Sequence, residues 1–139
     1  MANHWGHFSH DADIGIRACG ATKAEAFEQA GRALTAIITR PDDVNPAQQI
    51  DIQCQAENDD ILFADWLNAI IYQMAQQRML FSKFDVDIKK GVLTAKIYGE
   101  RIDIARHQPA VEIKGATYTT LEVKQVAPDQ WCAQTVVDV

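Results

Sequence analysis

Residues 60–77 read DILFADWLNAIIYQMAQQ, which has the periodicity of an amphipathic helix. The large apolar side chains recur every three or four residues, which would place them on one wide stripe: Phe63, Trp66, Leu67, Ile70, Ile71 and Met74. Asp59 is the predicted N-cap, and Asp60 adds negative charge where the helix dipole favours it. We therefore predict a helix over 60–77 that buries one face against another element.

A second helix is predicted over 22–39. Its apolar residues follow the same three- and four-residue spacing: Phe27, Ala30, Leu34, Ile37 and Ile38. Thr22 and Glu25 have the spacing of a capping box. Pro41 cannot continue a helix, so the segment should end near Thr39.

Elsewhere apolar and polar residues alternate, which predicts strands with one buried face. The alternating segments are 14–18, 50–56, 86–88, 93–98, 118–126 and 131–137. Lys89-Lys90-Gly91 reads as a hairpin turn, and the turn of a terminal hairpin is expected around 128–130. The order strand, helix, strand, helix and then several strands predicts one α+β domain, 1–139, with two helices on one face of a mainly antiparallel sheet. A doubly wound parallel sheet would need more helices than the second half supplies.

Composition narrows the classes of function. The 139 residues carry 13 Lys and Arg against 19 Asp and Glu, a net charge of −6. This balance argues against a protein that holds RNA or DNA through a broad basic face. No apolar run approaches a membrane span, and the Met1-Ala2-Asn3 start lacks a secretory signal pattern, so we expect a cytoplasmic protein. Cys19, Cys54 and Cys132 are expected to be reduced, buried thiols.

Two acidic segments are candidate cation ligands. In His10-Asp11-Ala12-Asp13, carboxylates two residues apart would project to one side of an extended segment. The chain closes with Asp138 and Val139, where a side-chain carboxylate adjoins the terminal one. Oxygen ligands of this kind suit Ca²⁺ or Mg²⁺. Taken alone, each segment is better explained by solvated acids, at the start of a strand or at a frayed chain end.

Two further groups of residues are weaker candidates. His4, His7 and His10 would not converge in a strand, because His7 would point away from the other two. Loose surface histidines are the simpler interpretation. Arg106 and His107 precede Lys114, which could bind an anion or an acidic partner, or be an exposed strand lysine. No acid–histidine–nucleophile order and no dinucleotide fingerprint is present.

Taken together, these segments resemble the archease family over almost the whole chain. The resemblance rests on HDADIGI at 10–16, WLNAIIY at 66–72, Gly99-Glu100, His107, EIKGATY at 112–118, Trp131 and the closing 137–139. The family usually reads H-T-A-D-I-G in the first segment and E-I-K-A-x-T-Y in the later one. This chain departs from that pattern at three positions. It has Asp11 in place of Thr, Gly115 in place of Ala, and Thr119 where many members have His.

The resemblance implies an accessory, chaperone-like protein for an RtcB-type RNA-splicing ligase in tRNA splicing or RNA repair. It would promote guanylylation and turnover of that ligase, and it would meet RNA only through the ligase. The family fold is a single sheet with two helices. The implied ligands of a divalent cation (calcium, magnesium or manganese) are Asp13, Asp138 and Val139, with Lys114 nearby. Asp11 would be an extra ligand or would tune the affinity.

Two other functions remain open from the sequence. One is a metal-dependent phosphohydrolase or nucleotidyl-transfer enzyme using Asp11, Asp13 and Asp138, since a carboxylate-held metal can activate water. The chain shows no evident general base, so we expect no enzymatic activity of its own. The other is a general chaperone without a dedicated ligase.

Overall fold

The structure, a computed structural model, describes residues 3–139. Met1 and Ala2, on which part of the signal-sequence expectation rests, lie outside this range. The described elements are β1 (His4–His10), β2 (Asp13–Gly20), α1 (Lys23–Ile38), a 3-10 turn (Pro41–Asp43), β3 (Gln48–Gln55), α2 (Asp59–Gln77), β4 (Met79–Lys89), β5 (Val92–Arg101), α3 (Ile104–His107), β6 (Gly115–Ala116), β7 (Glu122–Ala127) and β8 (Gln130–Asp138).

The strands form two antiparallel sheets. In the first, the order is β1-β2-β8-β6, and β7 pairs with the same strand β8. In the second, the order is β3-β5-β4. The predicted α+β class with a mainly antiparallel arrangement is confirmed, but the strands are divided between two sheets instead of lying in one. Helix α1 bridges them, since it packs against β2 of the first sheet and β4 of the second.

The core lies between the helices and the inner faces of the sheets. Trp66 is completely buried, and its indole N–H donates to the carbonyl of Phe27 at 2.9 Å. Phe27 meets Phe63 edge to face, and Trp66 meets Phe84 in the same way. The predicted packing residues of both helices all lie in this core. None of the helices in residues 3–139 is long and apolar enough to cross a membrane.

The N-termini of α1 and α2 lie at or next to the predicted capping residues. Thr22 and Glu25 form the predicted capping box. The N-cap of α2 is Asn58, whose side chain accepts from the N–H of Ile61, so the assignment to Asp59 was wrong by one residue. Asn and Asp cap equally well, and the two are adjacent here.

Two strand predictions changed in the structure, and one turn prediction is confirmed. The strand predicted from 118 begins at Glu122. Strand β4 begins at Met79, well before the predicted 86–88, because its first half is buried throughout and shows no alternation. The turn at Lys90-Gly91 is confirmed: φ is positive at both residues, as a tight type I′ hairpin requires.

The cysteine prediction was wrong for two of the three residues. Cys19 on β2 lies directly opposite Cys132 on β8, and the two form a disulfide. They are 113 residues apart in sequence, so only the strand register brings them together. Cys54 is free and half-buried, and burial raises the pKa of its thiol.

Candidate functional site

The candidate site begins at the hairpin that joins β1 and β2. Its two turn residues are Asp11 and Ala12, and Asp11 has a φ of 52°, a backbone conformation that Asp tolerates better than most residues. The Asp11 side chain is 93% exposed. The expectation that Asp11 and Asp13 project to one side of an extended segment was therefore wrong, because Asp11 belongs to the turn and Asp13 opens the strand.

The glycine that follows Asp13 by two residues has a packing reason. Gly15 pairs with Phe8 across the β1–β2 ladder, and the Phe8 ring occupies the space that a β-carbon on Gly15 would need. A side chain at this position would push the ring away and disturb the hairpin. The motif A-D-I-G thus combines an outward carboxylate with a glycine that lets β1 pack closely on β2.

Asp13 and Asp138 become neighbours through the pairing of β2 with β8. Ile14 pairs with Val137 in the antiparallel register, so extending the ladder by one residue sets Asp13 opposite Asp138. Both aspartates are partly exposed. They lie on the outer face of the sheet, since side chains alternate and the neighbouring Val137 points into the core. The fold topology thus brings together two residues that are 138 − 13 = 125 positions apart in sequence.

Neither carboxylate has a hydrogen-bond or ion-pair partner among residues 3–139. The nine ion pairs and the side-chain hydrogen bonds of this part of the chain leave out both side chains. Two adjacent anions without a cation repel each other, and the partly buried Val139 follows Asp138 directly.

The donor set fits a hard divalent cation at an open site. Three anionic oxygen groups would hold part of its coordination sphere, and water would complete it. Within the described range, no three His, Cys, Asp or Glu side chains gather into a group that would hold a metal. A cation held by Asp13 and Asp138 would therefore need further oxygen ligands, from water or from a carboxylate at Val139.

Lys114 and Asn68 fix the edge strand beside Asp138. The backbone N–H of Lys114 donates to the Asp138 carbonyl at 2.9 Å, and Gly115 pairs with Asp138. The Lys114 side chain is exposed and is close to the chain end through this backbone contact. The Asn68 amide on α2 exchanges two hydrogen bonds with the backbone of Ala116, so it substitutes for a missing strand partner.

Asn68 was missed as a site-related residue by the sequence analysis. The helical pattern marks it only as a polar residue on an exposed face of α2. Its partner is a two-residue strand 48 positions away. No signal in a single sequence shows that pairing.

The histidines do not form a metal site of their own. His7 points toward α1, and its Nε2 lies 2.8 Å from the carbonyl of Ala33, so it is not a loose surface residue. His10 pairs with Asp13 across the hairpin and is therefore on the same face as the carboxylates. The prediction that His7 and His10 diverge is confirmed by the strand geometry of β1.

Arg106 and His107 build a second, different charge cluster around Glu100. Arg106 pairs with one carboxylate oxygen at 2.6 Å, while His107 Nε2 and the backbone N–H of Asn45 contact the other. His107 is buried, and its Nδ1 accepts from the Asp103 N–H. Nε2 therefore carries the proton that is donated to Glu100. The hydrogen bond from Arg106 is the main reason that the pKa of Glu100 falls to about 2.

Comparison with known proteins identifies the family. The pattern described as "Archease protein family (MTH1598/TM1083)" matches residues 5–139. The chain belongs to the archease family. A relative named "Protein archease" from Pyrococcus furiosus is 34% identical over 97% of this chain and 98% of its own length. The protein of the same name from Pyrococcus abyssi is 32% identical over the same shares of both chains.

Two solved structures share the fold of this chain. The solution structure of Methanobacterium thermoautotrophicum protein 1598 is 27% identical, covers 97% of this archease-family chain and 98% of its own, and has a TM-score of 0.85. A Thermotoga maritima crystal structure described as "an archease, possible chaperone" shares the fold at 19% identity and a TM-score of 0.67. It covers 95% of this chain and 94% of its own.

Proposed function

We propose that this chain is an accessory protein that activates an RtcB-type RNA-splicing ligase in tRNA splicing or RNA repair. It would promote guanylylation and turnover of the ligase without being an enzyme itself, and it would meet RNA only through the ligase. Membership of the archease family supports this role, as does the description of the Thermotoga protein as a possible chaperone. The ligase partner itself rests on the family resemblance.

The observation that carries the proposal is the pair of unpartnered carboxylates at the chain end. Asp13, Asp138 and the Val139 carboxylate would hold a divalent cation, with calcium, magnesium and manganese as the candidates. A bound cation would supply positive charge and free coordination positions for oxygen groups of the partner. Asp11 is exposed in the adjoining turn and would add negative charge near that cation.

The rest of the chain supports docking to a basic protein. Its net charge of −6 complements a ligase surface that binds RNA, and complementary charge speeds encounter. Lys114 stands beside the chain end as a point of contact with an anionic partner group. We also propose a cytoplasmic location. The Cys19–Cys132 disulfide is unusual for that compartment, but both sulfur-bearing residues are buried, which shields the bond from soluble thiols.

The decisive experiment is a ligation assay with the purified ligase encoded by the same genome. We expect the wild-type chain to accelerate ligase guanylylation in the presence of a divalent cation. The double variant Asp13→Asn, Asp138→Asn should lose the stimulation while remaining folded, with a melting temperature in chelator no lower than that of the wild type. Lys114→Ala should retain part of the activity, because this lysine is a partner contact and not a ligand.

A matched control is the double variant Asp85→Asn, Asp129→Asn, which removes two exposed carboxylates elsewhere. It should stimulate like the wild type. Full stimulation by the Asp13→Asn, Asp138→Asn variant would refute the role of the cation site. Hydrolysis of GTP or RNA ends by the chain alone, lost in the same variant, would favour the phosphohydrolase alternative.

A further inference from the structure

A second surface, away from the carboxylates, has the character of a docking groove. It lies between the C-terminal half of α2 and the segment from the end of β5 to residue 113, and it encloses about 420 Å³. Ile71, Met74 and Ala75 form one wall; Ile102, Ile104 and Val111 form the other. We call this the α2 groove. Its volume suffices for several apolar side chains of a partner.

The α2 groove concentrates exposed apolar side chains. Six large hydrophobic residues within 3–139 are exposed, and three of them line this one groove: Ile102, Ile104 and Val111. Ile104 is 77% exposed. A contiguous apolar surface of this kind is typical of an interaction site, whereas single exposed hydrophobic residues are common everywhere.

The exposed isoleucine is held in place and does not lie on a loose loop. The Asp103 carboxylate caps the turn that carries Ile104 by accepting from the Arg106 N–H. The Thr39 hydroxyl donates to the His107 carbonyl at 2.6 Å, and Arg106 and His107 are both tied to Glu100. A rigid apolar surface loses little conformational entropy when it binds.

Charge on the rim indicates which partner fits. Arg78 lines the groove, and Arg101 adjoins it next to Ile102, whose N–H donates to the Arg78 carbonyl. The acid Glu112 also lines the groove, next to Ile113, so only the Arg78 end of the groove is basic. Neither arginine has an acidic partner within residues 3–139. Two unpaired arginines at one end of an apolar groove, in a chain of net charge −6, favour a segment that carries an acidic residue.

The groove also leads to the carboxylates. Asn68 of α2 binds Ala116, and the carbonyl of Arg78, the C-cap of that helix, accepts from Ile102, so the segment 102–116 runs beside α2 in the opposite direction. Ile113 lines the groove, and the next residue, Lys114, binds the backbone of Asp138. The groove therefore continues along the chain into the edge strand that pairs with Asp138.

We infer that the α2 groove binds an apolar segment of the partner ligase that carries an acidic residue opposite Arg78 and Arg101. This inference rests on the proposed function for the identity of the partner. The groove supplies affinity, and the Asp13–Asp138 end supplies activation. Loss of the α2 groove should raise the concentration of chain needed for stimulation. Loss of the Asp13–Asp138 carboxylates should lower the maximum stimulation.

The test measures ligase binding and guanylylation as a function of chain concentration. Ile104→Glu places a charge in the groove and should weaken binding at least about tenfold, with full stimulation restored at saturation. Arg78→Glu should weaken binding by a similar factor, with a smaller dependence on salt. The Asp13→Asn, Asp138→Asn variant should bind but not stimulate at any concentration.

The control substitutions match the test substitutions in side-chain exposure and, for Arg78, in backbone conformation. Val126→Glu alters another exposed hydrophobic residue, on β7. Lys90→Glu reverses another exposed cation that, like Arg78, has a positive φ. Both should bind like the wild type, and melting temperatures should show that all variants are folded.

Each other outcome has a defined meaning. Normal ligase binding by Ile104→Glu and Arg78→Glu would overturn the groove assignment and leave the proposed function intact. Failure of the wild type to bind or stimulate the ligase would overturn the proposed function, and with it the ligase as occupant. Self-association of the wild type that Ile104→Glu abolishes would assign the groove to a second copy of the chain and overturn the inference.

Discussion

Glu100 and the Asp13–Asp138 pair are both carboxylates near the ends of strands, yet their surroundings are opposite. Glu100 contacts Arg106, His107 and the backbone of Asn45, and its pKa falls to about 2. Asp13 and Asp138 face each other across β2 and β8 without a counter-charge in the described part of the chain. The paired carboxylate ties loops together. The unpaired ones are free to hold an ion from outside.

The presence or absence of partners within the chain distinguishes Glu100 from Asp13 and Asp138, whereas motif matching does not. Both kinds belong to segments that resemble the archease pattern, Gly99-Glu100 as much as Ala12-Asp13. A carboxylate whose acceptor positions are filled by the protein contributes to folding. One that the fold leaves unsatisfied beside a like charge costs stability, and it remains available to a ligand from outside the chain.

The largest expected effect on stability is that of Glu100→Ala. It leaves buried His107 without its acceptor and removes the ion pair with Arg106, so we expect a loss of about 2–3 kcal/mol in the free energy of unfolding. Chemical denaturation with urea would measure it. Glu112→Ala, at an exposed acid without an ion pair, should change stability by less than about 0.5 kcal/mol. Equal effects of the two substitutions would contradict the comparison.

The pH dependence of stability should show the same contrast. The pKa of Glu100 is about 2 in the folded chain against an ordinary value of 4.5, so the unfolded chain takes up the proton first. The stabilisation is present above pH 4.5 and is lost as the pH falls toward 2, by on the order of 2 kcal/mol. Urea titrations from pH 6 to pH 2 should show this decline in the wild type. Glu100→Gln should show a shallower decline.

A divalent cation should stabilise the folded chain through the other carboxylates. At ten times its dissociation constant, a ligand bound only by the folded state adds about 1.4 kcal/mol. Calorimetry with and without calcium, magnesium or manganese should show a higher melting temperature for the wild type. The Asp13→Asn, Asp138→Asn variant should show no shift, and an unchanged shift in that variant would place the ion elsewhere.

The smallest effect concerns repulsion in the absence of a cation. In chelator, Asp138→Asn removes one of two facing negative charges and should stabilise the chain by about 0.2–0.5 kcal/mol. The gain should shrink at 1 M salt, where the screening length is only about 3 Å. A loss of stability in low salt would mean that Asp138 has a structural partner.

Much of the fold could be predicted from local patterns. The capping box at Thr22 and the apolar stripes of α1 and α2 are short-range signals, and the helices appear within a residue or so of the expected bounds. The first half of β4 could not be found in this way. Its residues are buried continuously, and a short apolar run does not distinguish a strand from a helix.

The candidate site depends on register, which one sequence does not contain. The proximity of Asp13 to Asp138 was expected only from the family resemblance, and the pairing of β2 with β8 accounts for it physically. The same pairing joins Cys19 to Cys132, which cysteine spacing alone did not suggest. The Asn68–Ala116 contact and the Glu100 cluster likewise join residues that have no local signature.

The Cys19–Cys132 disulfide has a topological consequence. It closes residues 19–132 into a covalent ring, with strand β1, most of β2 and most of β8 outside the ring. A protease that cuts one loop inside the ring, such as the exposed connection around residues 45–47, would yield two fragments that still move as one molecule on a non-reducing gel. The strands that bear Asp13 and Asp138 would stay tethered after such a cut, and only a reductant would release them.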